Sequence, residues 1–128
     1  MNFRTNIQSR EKGIYTVTLF GALDAMSHIQ FEKEMEPILV SETKAIILNM
    51  ESVDYMSSLG IGSLFKVSNF MKKNNGSLLM TKLQPQIKKL LETVKALPEG
   101  IFKSLEEADE YINEIQRKTP HKDGPFAF

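Results

Sequence analysis

Midway along the chain, Ala45-Ile46-Ile47-Leu48 forms an unbroken apolar run between Lys44 and Asn49. It is too short for a buried helix and rich in β-branched residues, the pattern of a strand covered on both faces. A central strand over Lys44–Met50 therefore predicts a layered protein with helices packed on a sheet.

The flanking patterns agree. Phe3, Thr5 and Ile7 alternate with Arg4, Asn6 and Gln8, and the turn-like Arg10-Glu11-Lys12-Gly13 precedes the β-rich segment Ile14–Phe20. This reads as an antiparallel hairpin. Ser27 with Gln30 fits a capping box opening a helix that carries Phe31, Met35, Ile38 and Leu39 on one face, and Pro37 disturbs its last turn. After the central strand, Ile61, Leu64, Phe65, Ser68 and Met71 recur at helical spacing, and Lys72-Lys73-Asn74-Asn75-Gly76 ends that helix. Ser77–Thr81 is a short strand, and Pro85 opens a helix with Ile87, Leu90, Leu91 and Val94 that Pro98-Glu99-Gly100 closes. Ile101-Phe102-Lys103 reads as a last strand, and Ser104 with Glu107 as a second capping box ahead of Ala108, Tyr111, Ile112 and Ile115. The order β-β-α-β-α-β-α-β-α implies an α/β fold with a mixed sheet, an N-terminal hairpin joined to parallel strands, and about four helices. Residues 1–118 form one domain on this reading, and the Pro/Gly-rich 119–128 a flexible tail.

Composition excludes several functions. At 128 residues the chain supports one core. Sixteen basic and sixteen acidic side chains cancel, so no overall field draws it to nucleic acid or an anionic membrane. There is no cysteine, and His28 and His121 lack ligand spacing, so neither thiol chemistry nor a metal or cofactor is expected. No apolar run has signal-peptide or membrane-spanning length, which points to a cytoplasmic chain without direct membrane insertion. The lysines at 82, 88, 89 and 95 read as a solvated face.

The segment Tyr55–Gly62 is the informative one. Ser57 and Ser58 sit between a buried strand and a helix, ahead of Gly60 and Gly62, which suit close backbone approach. Either serine could be a helix N-cap. A nucleophile is the weaker reading, because Met56-Ser57-Ser58-Leu59-Gly60 is not Gly-x-Ser-x-Gly and no histidine is placed as a base. The third reading is regulation, because free N–H groups at a helix start stabilise an added phosphate.

From Phe3 to Lys118 the chain resembles the STAS domain, and within it the bacterial anti-sigma factor antagonists. Gly21-Ala22-Leu23-Asp24-Ala25 is similar to that family's Gly-x-Leu-Asp segment, and Val53–Gly62 to its phosphoacceptor loop, Asp-Ser-x-Gly-Leu-Gly. Aligning the glycines with Gly60 and Gly62 puts the acceptor at Ser58, with Ser57 as second choice; Ser57 stands where the family has aspartate. The resemblance implies a non-enzymatic regulator that docks an anti-sigma factor acting as serine kinase through Asp24, Ser57, Ser58, Leu59 and Gly60. Phosphorylation switches it off and a phosphatase resets it. The alternative is a constitutive STAS scaffold, a subunit of a signalling complex or of a lipid or anion transport system, without phosphorylation.

Overall fold

The computed structural model describes residues 2–97, 102 and 104–118. Strands β1 (Arg4–Glu11) and β2 (Ile14–Phe20) form the hairpin, followed by α1 (His28–Met35), β3 (Ala45–Ser52), α2 (Ser58–Lys73), β4 (Ser77–Thr81), α3 (Pro85–Lys95) and α4 (Leu105–Lys118). The sheet order is β1-β2-β3-β4, antiparallel between β1 and β2 and parallel thereafter. The mixed sheet and its element order match the sequence reading as far as β4. The predicted strand Ile101–Lys103, the Pro98–Gly100 helix stop and the tail 119–128 lie wholly or largely outside the described residues.

Register decides what the apolar run does. Val17, Leu48 and Met80 are paired across β2, β3 and β4 and all are buried, as are Leu19, Ile46 and Met50. Their face packs with Phe31 and Met35 of α1, Ile61, Leu64, Val67 and Met71 of α2, and Ile87, Leu90 and Leu91 of α3. The alternate row Thr16, Ile47 and Leu79 is only partly covered, with Leu79 45 % exposed. The expectation of two covered faces is thus corrected. β3 is an interior strand with a single fully buried face, and its apolar run places Ile47 on the open side.

Two further local expectations change. The capping box at Ser27 does not form: Ser27 Oγ donates to Ala22 O at 2.7 Å, while Gln30 Nε2 reaches Phe3 O at 3.1 Å. The polar side chains go to the preceding loop and to the chain before β1 instead of the helix start. Phe65 is 40 % exposed, because Val67 fills the position facing the sheet and Phe65 falls one step round the helix from Leu64. Pro37, by contrast, acts as expected: α1 stops at Met35 and Glu36–Ile38 continues as a 3-10 turn.

Candidate functional site

Two loops at one end of β2 and β3 build the site. β2 ends at Phe20, and the chain turns at Gly21 with φ +96°, a conformation that disfavours any side chain. Gly21 N–H donates to Ser52 O at 3.1 Å, and Leu23 N–H to Tyr55 O at 3.1 Å. Leu23 then forms a parallel bridge with Met56, and its carbonyl accepts Ser57 N–H at 3.0 Å. The start of α2 lies flush on this carbonyl. A Cβ on Gly60 would stand 2.1 Å from Leu23 O and 2.7 Å from Leu23 C, so no side chain fits there. Gly62 has open space at the same place, which corrects the expectation that both glycines serve close approach. The Gly21–Asp24 and Val53–Gly62 segments, well separated along the chain, are therefore one structural unit.

Within it the two serines do different things. Ser57 is 5 % exposed and extended, and its Oγ accepts Gly60 N–H at 3.3 Å, so it is the N-cap of α2. Ser58 is the first helical residue and is half-buried, as is Leu59. Both the N–H and the Oγ–H of Ser58 donate to Asp109 Oδ1 of α4, at 2.9 and 2.7 Å. The first turn of α2 carries no acidic residue of its own. Asp109 supplies the anion that the free N–H groups and the helix dipole favour. Asp24, half-buried, uses Oδ1 to accept Met26 N–H at 2.9 Å and Ser27 N–H at 3.0 Å, so it shapes its turn beside the site.

Helix α4 contributes more than Asp109. The Tyr55 hydroxyl donates to Asn113 Oδ1. Gln116, 5 % exposed, accepts Met56 N–H at 2.9 Å and donates to Met56 O at 2.8 Å, completing both backbone groups of a buried residue. Burial raises the Tyr55 pKa above its usual value, and the nearby carboxylates of Asp109 and Asp24 add to the shift, so the phenol stays a neutral donor. Asp109, Asn113 and Gln116 form a polar stripe at i, i+4 and i+7, alongside the apolar stripe of Ala108, Ile112 and Ile115. None of the three is among the residues named from sequence. That regular spacing was the available signal.

A second polar cluster lies between α1 and α2. Ser63 Oγ donates to Glu32 Oε2 at 2.6 Å; His28 Nδ1 is 3.4 Å from the same oxygen, and Lys66 Nζ is 3.1 Å from Oε1. Serine, histidine and carboxylate meet here, but Ser63 is 1 % exposed and gives its proton to the carboxylate, which makes it a support for the α1–α2 contact. The Ser63 hydrogen bond is the chief cause holding Glu32 below the usual carboxylate pKa, with Lys66 and His28 adding to it against the opposing effect of burial. A shallow depression of about 370 Å³ opens beside the Asp24 loop, lined by Gly21, Ala22, Ser52, Asp54 and Gln84. Among the described residues, no group of three His, Asp or Glu side chains could hold a metal, and no helix is long and apolar enough to cross a membrane.

Comparison with known proteins places this geometry. The chain is 27 % identical over 92 residues to an anti-sigma-B factor antagonist of Staphylococcus aureus, covering 72 % of this chain and 84 % of that protein. Its fold superposes on the anti-sigma factor antagonist SpoIIAA in its unphosphorylated form with a TM-score of 0.60 at 18 % identity, covering 86 % of this chain and 98 % of that one. For the Bacillus cell fate determinant SpoIIAA in the phosphorylated form the TM-score is 0.61 at 18 % identity, covering 71 % and 83 %. The same fold recurs within the murine anion transporter Slc26a9, with a TM-score of 0.61 at 18 % identity over 83 % of this chain and 18 % of the transporter. The model of the STAS domain matches residues 7–108, which spans both loops of the site and Ser58 itself; the chain belongs to the STAS domain family.

Proposed function

We propose that this protein is an antagonist of an anti-sigma factor, a cytoplasmic regulator without catalytic activity of its own. It binds an anti-sigma factor that is also a serine kinase, through the surface formed by Asp24, Ser58 and Leu59 with buried Ser57 and Gly60 shaping it from beneath, and frees the sigma factor. The kinase then phosphorylates Ser58, the complex weakens, and a phosphatase restores the binding form. The observation that carries this reading is the contrast between the two serines: Ser57 is buried as a helix cap, while Ser58 is half-exposed on the first turn of α2, beside the Asp24 loop. The name of the staphylococcal relative and the phosphorylated state of one structural neighbour support it. A phosphate on Ser58 adds about 1.5–2 negative charges where a partner docks, while the fold tolerates it at a helix start.

A second reading rests on Ser57, which leaves the position before Ser58 without the family's aspartate. It makes the domain a constitutive scaffold in a signalling complex or a lipid or anion transport system. One experiment separates the two. The protein is incubated with the serine kinase co-purified with it from its own cells and with ATP, and its phosphopeptides are located by mass spectrometry. One phosphate at Ser58, lost in Ser58→Ala while partner binding persists, supports the switch. Stable partner binding with no phosphate on either serine supports the scaffold.

A further inference from the structure

The site just described holds a carboxylate where the proposed switch would place a phosphate. Asp109 Oδ1 accepts both the N–H and the Oγ–H of Ser58 at 2.9 and 2.7 Å, and it comes from α4, 51 residues away along the chain. We propose that Asp109 is a latch for Ser58, released by phosphorylation, so that the modification frees the first turns of α4 from the loop between β3 and α2. The proposal rests on the reading of Ser58 as phosphoacceptor and states what the phosphate does inside the domain.

The chemistry requires an exchange. When Ser58 is phosphorylated, its Oγ forms a bond to the γ-phosphorus of a nucleoside triphosphate, the bridging β–γ P–O bond breaks, the diphosphate leaves and the hydroxyl proton passes to solvent. The modified oxygen then has no hydrogen to donate to Asp109. Its phosphate carries about 1.5–2 negative charges within a few ångströms of a carboxylate, and both compete for the same Ser58 N–H. The phosphate is tethered to that position and Asp109 is not, so Asp109 leaves. The rest of the helix does not follow of necessity: Gln116 of the polar stripe is buried and doubly bonded to Met56, and Ile112 of the apolar stripe is 3 % exposed, so these two hold the C-terminal half of α4 in place. Release is confined to the turns around Asp109 and weakens Asn113, whose partner Tyr55 borders the same loop. A charge added at one serine thereby becomes a change in helix position that a docked partner can sense.

The test needs no kinase. Phosphoserine is incorporated at position 58 during translation, in the wild-type background and in Asp109→Asn, which keeps the acceptor oxygen and removes the charge. Amide hydrogen exchange is followed through residues 105–113, with thermal melting as a second readout. Loss of a charge-assisted hydrogen bond corresponds to about a 10- to 150-fold change in the closed population, so exchange of these amides is expected to accelerate by that order in the phosphorylated wild type. In Asp109→Asn the additional acceleration caused by the phosphate is expected to fall to less than about threefold, and the phosphate's effect on melting to shrink with it. Unchanged protection of α4 on phosphorylation overturns the latch, and so does an equal phosphate effect in both backgrounds. Neither result bears on whether a kinase modifies Ser58, and failure of a kinase to do so leaves the measured coupling intact.

Discussion

Replacing Gly60 by alanine probes the joint between the two loops. In an ordinary helix interior the substitution stabilises by about 0.5–1 kcal/mol, because alanine loses less backbone freedom on folding. Here the new Cβ would stand 2.1 Å from Leu23 O, about 1.3 Å short of the 3.4 Å at which ordinary contact begins, and its neighbours are backbone atoms that cannot swing aside. Either α2 or the Gly21–Asp24 loop must shift by roughly that distance. The shift strains the Ser57 N–H to Leu23 O and Leu23 N–H to Tyr55 O bonds, both near 3.0 Å. Two weakened backbone bonds at about 1 kcal/mol each, plus about 1–3 kcal/mol of overpacking, less the propensity gain, leave a net loss of about 2–4 kcal/mol. At about 4 °C per kcal/mol for a chain of this size, Gly60→Ala should melt roughly 8–16 °C below wild type. Gly62→Ala is the control: the same helix, with nothing within 4 Å of the added Cβ. It should melt at or a few degrees above wild type. Thermal unfolding followed by circular dichroism reads both, and a Gly60→Ala protein as stable as Gly62→Ala would refute the flush packing of α2 on Leu23.

The sheet's faces predict that Leu48→Ala costs about 2–5 kcal/mol in urea unfolding, whereas Ile47→Thr, on the part-exposed face, costs less than about 1.5 kcal/mol. Gln116→Leu leaves both backbone groups of buried Met56 unpaired and should cost about 2–4 kcal/mol by the same assay, far more than a surface Gln→Leu. Glu32 has a folded pKa below the ordinary 4.5, so its contribution to stability is present above that value and is lost as pH falls through the lowered one. Ser63→Ala removes the chief cause, and the Glu32 carboxyl should then titrate at higher pH by carbon-detected NMR, with a smaller loss of stability between pH 5 and pH 3 on the same scale.

Much of the fold was legible because the strand and helix periods differ. Alternation in β1, the apolar run of β3 and the helical spacing of Ile61, Leu64 and Met71 each matched one element. The second covered face was a misreading of Ile47. An apolar run is compatible with one buried face or two, and only the pairing of Ile47 with Thr16 and Leu79 shows that its neighbours are half-exposed. Phe65 misled in a similar way, since helical spacing put it with Ile61 and Leu64, while its angular position on α2 falls at the edge of the buried stripe and leaves it 40 % exposed. At the site, Gly21–Asp24 and Val53–Gly62 stood out in the sequence as separate motifs, while the packing of Gly60 on Leu23 that joins them is a property of the fold. Asp109, Asn113 and Gln116 did not emerge, because their partners are backbone and hydroxyl groups 51 to 60 residues distant. Hydrogen bonds across such separations leave no local pattern beyond the regular spacing on α4.

The most direct measurement is affinity. Unmodified protein and protein carrying phosphoserine at position 58 are titrated by calorimetry into the anti-sigma factor isolated from the same cell. A charge placed in a desolvated interface can cost about 2–5 kcal/mol, so the phosphorylated form is expected to bind roughly thirty- to several-thousand-fold more weakly, and only the unmodified form to displace the sigma factor. Equal affinity of the two forms, with equal displacement, would contradict a switch at Ser58.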